Sequence, residues 1–205
     1  MKKVFRSSLL TLMAILTFGM IASAQTSPST FKGISIANFG QMDDNFYRGA
    51  QPTATDYKAL KDFGISTIID LRDDHESYAK SAAEAAGLKY YLIPMDGVSA
   101  PTDNDVAQFL KIVNDPSTGK FYLHCKAGIH RTGAMGAVYR INHDGWDYNK
   151  TYKEMQNYEF TAGMFHGKLK SFVKKYADQA VALRANKNTN KTQTGILAAA
   201  PAVAN

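Results

Sequence analysis

One segment constrains the possible fold more than any other: residues 121–133, with the sequence FYLHCKAGIHRTG. The apolar run from Phe121 to Leu123 predicts a buried strand, the small residues after it predict a loop, and a helix is expected to begin near Arg131 and Thr132. A loop that joins a strand end to a helix N-terminus directs successive backbone N–H groups into one concavity, where an anion can bind. The segment therefore predicts a strand, an anion-binding loop and a helix in direct succession.

The chemistry of this loop is indicated by Cys125, which is the only cysteine in 205 residues. The positive field of such a loop favours the thiolate, which is the nucleophilic form of cysteine. Arg131, six positions later, adds a planar and permanently charged guanidinium that suits the oxygens of a phosphate. The two residues together predict a nucleophile at the base of a phosphate cradle.

The order His-Cys-Lys-Ala-Gly-x-x-Arg-Thr-Gly resembles the signature loop of the cysteine-based protein tyrosine phosphatase superfamily. It is most similar to the dual-specificity and inositol polyphosphate (PTP-like phytase) branches. The resemblance implies that Cys125 attacks phosphorus and forms a phosphocysteine, that Thr132 supports the thiolate, and that His124 orients the loop. The residues that it implies for phosphate binding are Lys126, Ala127, Gly128, Ile129, His130 and Arg131.

A phosphatase of this kind also needs a carboxylic acid that protonates the leaving oxygen. The run Pro94-Met95-Asp96-Gly97 resembles the general-acid loop of dual-specificity and lipid-directed relatives, and we expect Asp96 to have this role. The alternative is that Asp96 only forms a turn with the glycine after it. Asp103 and Asp105 are the other candidate acids, although Thr102 or Asp103 also suits the N-cap of the next helix. Gln156 is a candidate for positioning the attacking water.

The substrate is indicated only by Lys126 and His130, which we expect to face outward toward further phosphates. Lysine at the first loop position resembles phosphoinositide phosphatases, and histidine before the arginine is similar to the group acting on inositol pyrophosphates. The interpretation is an inositol polyphosphate, phytate-like substrate; the alternative is a phosphoprotein, cleaved by tyrosine or dual-specificity phosphatase activity.

Other function classes are less consistent with these residues. A binding module without catalysis would be expected to lose the cysteine, the arginine or the acid, and a rhodanese-type sulfurtransferase gives Asp96 no role. A lone cysteine excludes an intramolecular disulfide cycle and thus disfavours arsenate-reductase chemistry. The five histidines lack a recognised ligand spacing, so no metal and no cofactor are predicted.

The first 24 residues form a separate unit. Lys2, Lys3 and Arg6 precede an apolar run, and Ala22-Ser23-Ala24 follows it, which is typical of a secretory signal peptide cleaved near Ala24. The run is shorter than the ~20 residues of a membrane-spanning helix, so no stable membrane anchor is expected, with an uncleaved anchor as the alternative. The prediction is a periplasmic or secreted bacterial enzyme.

Charge and element order complete the expectations. The formal net charge is +6, half of it from the leader, and without a long basic run no nucleic acid partner is predicted. Alternating strands and helices predict one α/β domain over residues 45–182, with a largely parallel central sheet flanked by helices. Residues 25–44 are expected to hold a leader and a first strand, near 34–39, and residues 183–205 a disordered tail.

Two further patterns concern packing. The run Tyr47-Arg48-Gly49-Ala50-Gln51-Pro52 resembles a motif of atypical dual-specificity phosphatases, in which Arg48 either braces the catalytic loop or lies on the surface. Apolar residues recur at helical spacing between Phe165 and Tyr176, which predicts a helix whose apolar face lies in the core.

Overall fold

The computed structural model describes residues 31–198, with side chains to residue 187. The strands are β1 Gly40–Gln41, β2 Phe46–Gly49, β3 Thr67–Arg72, β4 Lys89–Met95 and β5 Phe121–His124. The α-helices are α1 Asp56–Asp62, α2 Ala79–Ala85, α3 Asp103–Val113, α4 His130–His143, α5 Tyr148–Asn157 and α6 Gly167–Ala198, and a short 3-10 helix covers Pro116–Thr118.

The strands form one sheet in the order β1-β2-β5-β3-β4. Strand β5 pairs in parallel with β2 on one side and with β3 on the other, and β4 is parallel to β3; only the short β1 is antiparallel. Four parallel strands therefore end at the same edge of the sheet. The loops after these strands meet there, which is where ligands bind in sheets of this kind.

Helices cover both faces of the sheet, as the apolar sequence of its strands requires. Every residue of β3 and β5 is buried. One cluster packs the sheet against α3 and α4, a second packs it against α1 and α2, and a third joins α4 to α5 and α6. Small residues such as Ala134 and Ala137 let α4 contact both the sheet and the outer helices. The predicted α/β class with a mostly parallel sheet is confirmed.

Two predicted element boundaries are wrong. The first strand lies at Gly40–Gln41 and not near 34–39, because Asn38 has a positive φ of 52° that interrupts the extended run. The expected tail from residue 183 is helical to Ala198, and residues 199–205 lie outside the described part. The extension continues a helix that is already nucleated and packed over residues 167–177, and propagation of an existing helix is far less costly than nucleation.

The apolar face predicted between Phe165 and Tyr176 is confirmed except at its first residue. Leu169 and Val173 are buried against α4, and Phe172 and Tyr176 pack beside them, as expected. Phe165 precedes the first residue of α6 and is 66% exposed, so it is not part of the core. The predicted signal peptide lies outside the described residues. Within residues 31–198, no helix combines the length and the hydropathy needed to cross a membrane.

Candidate active site

Cys125 directly follows β5, at the central position of the sheet edge where the parallel strands end. Its side chain is almost completely buried. Burial opposes ionisation of the thiol, but the nearby hydroxyl and backbone N–H of Thr132, the charge of Arg131 and the backbone N–H of Gly128 outweigh it and lower the pKa of Cys125. The loop therefore stabilises the thiolate, as the strand–loop–helix pattern predicts.

The Thr132 hydroxyl lies in the first turn of α4 and is fully buried. It makes no hydrogen bond of regular geometry within residues 31–187, although it contributes to the low pKa of Cys125. A hydroxyl proton rotates about the C–O bond, so it can turn toward the sulfur when the thiol ionises. This position fits the expected support of the thiolate.

Gly128 gives the catalytic loop its shape. Its φ is +70°, and a Cβ at this position would lie 2.3 Å from the carbonyl carbon of Gly49. Arg48 Nη2 and Asn38 Nδ2 both donate hydrogen bonds to the carbonyl oxygen of Gly128. The backbone N–H of Gln51 donates to the carbonyl oxygen of Lys126 at 3.1 Å.

The loop is thus held from behind by the Tyr47–Pro52 segment, which comprises the end of the neighbouring strand β2 and the three residues after it. Arg48 is 1% exposed and stacks on the ring of Tyr158 at 4.1 Å, while burial lowers its pKa to about 10. Its guanidinium braces the catalytic loop, which resolves the two interpretations of Arg48 in favour of the brace.

Arg131 is buried, and its guanidinium is held from two sides. Nη1 donates to Asp73 Oδ1 at 2.9 Å and to the carbonyl oxygen of Met95 at 2.9 Å, and Asp74 Oδ1 lies 3.7 Å away. Asp73 follows β3, and Met95 is the last residue of β4. The arginine therefore links three strand ends, and an incoming phosphate would compete with the Asp73 carboxylate.

Asp96 directly follows Met95, so its backbone lies beside a contact of Arg131. Its carboxylate is exposed and accepts hydrogen bonds from the backbone N–H groups of Val98 at 2.8 Å and Ser99 at 2.5 Å. The bonds from Ser99 and Val98, together with the charge of Lys168, lower the pKa of Asp96. The structure places Asp96 at the expected edge, but in an ionised, turn-forming state.

The other candidate acids are less suited to proton transfer. Asp105 closes a capping box with Thr102, because its carboxylate accepts from Thr102 N–H at 2.8 Å while Asp105 N–H donates to the Thr102 hydroxyl. Asp103 is the first residue of α3 and is exposed. Gln156 is exposed near the end of α5.

His124 is fully buried at the end of β5, behind the cysteine. Its Nδ1 lies 3.7 Å from Asp70 Oδ1, which is longer than a regular hydrogen bond. Burial lowers the pKa of His124 to about 4, against the opposing charge of Asp70, so the ring is neutral at pH 7. A neutral ring behind the loop is compatible with orientation of the loop and excludes contact with substrate.

Comparison with known proteins identifies the chain. A family model described as "DSP-PTPase phosphatase fused to NAD+ Kinase" matches residues 35–175. The chain belongs to this family. Its relatives are cysteine-based, dual-specificity phosphatases, so the resemblance of the signature loop to this superfamily is confirmed. The match begins at residue 35, before the domain boundary predicted at residue 45.

Relatives of this dual-specificity family differ in their named activities. The chain is 29% identical over 156 residues to the dual specificity protein phosphatase TpbA of Pseudomonas aeruginosa, covering 70% of this chain and 66% of the relative. It is 26% identical over 126 residues to the inositol diphosphatase DSP3 of Arabidopsis thaliana, covering 58% of this chain and 61% of that relative. The chain thus spans no more than about two thirds of these relatives.

A solved structure supports the same fold. The catalytic core of the PP-IP phosphatase SIW14 from S. cerevisiae superposes with a TM-score of 0.61 at 21% identity, over 76% of this chain and 95% of that core. At this identity the likeness concerns the architecture alone.

Lys126 and His130, the two loop residues expected to face further phosphates, differ in exposure and contacts. Lys126 and Ala127 are exposed, in agreement with an outward-facing lysine. The ring of His130 instead stacks on His166, with centroids 3.4 Å apart, and contacts Phe160 edge-on. Burial and the neighbouring His166 lower the pKa of His130. The expectation that His130 points toward further phosphates is wrong, because the segment before α6 provides a partner that the sequence did not reveal.

Sequence reasoning also missed two residues beside the catalytic loop. The Asp73 carboxylate accepts a hydrogen bond from Arg131, and the backbone N–H of Gln51 donates to the carbonyl oxygen of Lys126. The signal for Gln51 was its place in the Tyr47–Pro52 motif. Asp73 lies in a charged turn after a buried strand, and a polar residue after a parallel strand is a candidate site residue in any α/β sheet.

Proposed function

We propose that the protein hydrolyses phosphomonoesters through a phosphocysteine intermediate. The observation that carries the proposal is the position of the Cys125 thiol, which is buried directly after β5 at the base of a loop that leads to the buried Arg131. The lowered pKa of the thiol agrees with this role. In the first step the Cys125 sulfur bonds to phosphorus as the bond from phosphorus to the leaving oxygen breaks. The backbone N–H groups of residues 126–131 and the Arg131 guanidinium stabilise the charge on the equatorial oxygens.

Asp96 is the proposed source of the proton for the leaving oxygen. Its carboxyl must be protonated for this step, whereas the turn in the free protein keeps it ionised. A bound phosphate dianion would raise the pKa of Asp96 through repulsion between like charges. In the second step water attacks phosphorus, the phosphorus–sulfur bond breaks, and Asp96 takes the proton from the water.

An inositol polyphosphate is the proposed substrate class. Lys126 is exposed on the catalytic loop and can bind a second phosphate of such a substrate. The names of the inositol diphosphatase DSP3 and of the PP-IP phosphatase SIW14 support the same class.

A phosphoprotein is the second candidate, supported by the name of TpbA and by one observation of this chain. Met164 is 90% exposed and Phe165 is 66% exposed, and both directly precede His166, which stacks on the catalytic loop. Apolar side chains beside the cradle would suit the ring of phosphotyrosine or an apolar residue of a peptide.

Turnover of inositol hexakisphosphate should be compared with turnover of a phosphotyrosine peptide under one condition. The proposed substrate class predicts the larger kcat/KM for the inositol, and the reverse order would assign the enzyme to phosphoproteins. The variant M164S/F165S separates the two further, because it should impair only the peptide reaction.

The residue roles need their own test. Cys125→Ser should abolish phosphate release, and Asp96→Asn should reduce kcat by about 10²–10⁴-fold, the usual contribution of a general acid. The reduction should be much smaller for a substrate whose leaving group needs no proton. An Asp96→Asn enzyme that keeps full activity on alkyl phosphates would exclude Asp96 as the acid.

We also propose that the enzyme is exported. The support is the signal-like sequence of residues 1–24, which ends in Ala22-Ser23-Ala24. Cell fractionation of a tagged full-length chain, with N-terminal sequencing of the mature form, tests both export and cleavage near Ala24.

A further inference from the structure

A groove of about 430 Å³ lies between the segment that leads into α3 and one face of α6. Four polar residues of α6 line it, and their spacing places them on a single helical face. They are Lys168, Ser171, Lys175 and Gln179. Asp103 lies on the opposite wall, so the groove combines two cations with one carboxylate.

The groove begins beside the catalytic loop. His166 stacks on His130, one residue before Arg131, and α6 begins at the next residue, Gly167. The first turn of α6, which carries Lys168, therefore lies beside the rim of the phosphate cradle. The contribution of the Lys168 charge to the lowered pKa of Asp96 agrees with this position.

The lysines of α6 fall into two groups. On the far face, Lys174 pairs with Asp178 at 2.8 Å, and Lys170 lies 5.0 Å from the ring of Tyr152. The groove lysines are different: among residues 31–187, the lysine ion pairs within 4.0 Å are Lys58–Asp62, Lys80–Glu84 and Lys174–Asp178, and neither Lys168 nor Lys175 takes part. Two exposed cations on one wall of a groove remain available to an anionic ligand.

We infer that this groove is a second anion subsite, in which Lys168 and Lys175 bind phosphate groups of a polyphosphorylated substrate while another phosphate occupies the Cys125 cradle. The inference deepens the proposed function and rests on it. The two lysines are seven residues apart, about 10 Å along the helix axis. The groove can therefore hold phosphates at two distances from the cradle. The Asp103 carboxylate repels phosphate and therefore weakens this binding.

Competitive inhibition tests the subsite without requiring turnover of a polyphosphate. The inhibition constants of tripolyphosphate and inositol hexakisphosphate are measured against p-nitrophenyl phosphate hydrolysis, with inorganic phosphate as the single-anion reference. The variant K168A/K175A is compared with K170A/K174A, which removes the same charge from the far face of the same helix. Asp103→Asn is the third variant.

For K168A/K175A, we expect the inhibition constants of both polyphosphates to rise roughly three- to tenfold relative to that of inorganic phosphate, the range for two exposed ion pairs. K170A/K174A should leave this ratio unchanged, and Asp103→Asn should improve polyphosphate binding. The difference between the variants should shrink at about 1 M salt, where exposed charges are screened.

Equal effects of the two double variants, or a wild-type enzyme that binds tripolyphosphate no better than phosphate, would overturn the subsite. Failure of the proposed substrate has a different signature, because the enzyme would then hydrolyse no inositol polyphosphate whatever the inhibition constants show.

Discussion

The substitution Gly128→Ala tests whether the catalytic loop depends on backbone contact with the neighbouring strand end. A Cβ at residue 128 would lie 2.3 Å from the carbonyl carbon of Gly49, 2.4 Å from its oxygen and 2.6 Å from the nitrogen of Ala50. These are backbone atoms of the last residue of β2 and of the residue after it, so they cannot rotate away as the end of a side chain could. The φ of +70° is also unfavourable for alanine.

The cost follows from these two effects. The left-handed conformation costs about 1–2 kcal/mol for a residue with a Cβ. Insertion of a methyl group into a close-packed contact costs about 1–3 kcal/mol more. We therefore expect the free energy of unfolding to fall by about 2–5 kcal/mol. If the loop shifts and relieves the clash, its hydrogen bonds from Arg48 and Asn38 are lost and kcat/KM should fall by about 10²-fold instead.

Gly133 offers a matched control, because it belongs to the same signature loop. Its Cβ would lie 3.5 Å from Phe160 and 3.6 Å from Met155, which are ordinary contacts, and the residue lies inside α4. Gly133→Ala should therefore be neutral or raise the free energy of unfolding by up to about 1 kcal/mol. Guanidinium denaturation gives the stability of each variant, and p-nitrophenyl phosphate gives kcat/KM.

A Gly128→Ala protein with wild-type stability and activity would refute the reasoning. Equal losses of stability and activity in Gly133→Ala and Gly128→Ala would also refute it, because the two glycines would then act through a shared property and not through the contact with Gly49.

Two further predictions concern the charge of the cradle. Thr132→Ala should raise the pKa of Cys125, so the acid limb of the kcat/KM profile should move up by about one pH unit; activity lost equally at every pH would contradict this role. Asp73→Asn should tighten inhibition by inorganic phosphate roughly two- to fivefold, because Asp73 competes for Arg131. Asp62→Asn, which removes a carboxylate from the exposed pair with Lys58, is the control; weaker phosphate binding in Asp73→Asn would mean that Asp73 positions the arginine.

The sequence alone determined the features that depend on neighbours along the chain. The strand, loop and helix of residues 121–133 are local, so the pattern predicted both the elements and the loop chemistry of Cys125 and Arg131. The alternation of strands and helices likewise predicted the class of fold. Sequence reasoning was least accurate where no local pattern exists, as in the first strand and in the helix beyond residue 183.

The tertiary structure decided which distant residues surround that loop. Asp73, Met95 and Gly49 reach the cradle because β3, β4 and β2 end at the same edge as β5, and the strand order that brings them there cannot be read from local periodicity. The stacking of His130 on His166 also depends on how α6 packs on α4. The sequence thus supplied the nucleophile and the phosphate-binding arginine, and packing supplied the groups that brace them and compete for them, because those contacts join residues far apart in the chain.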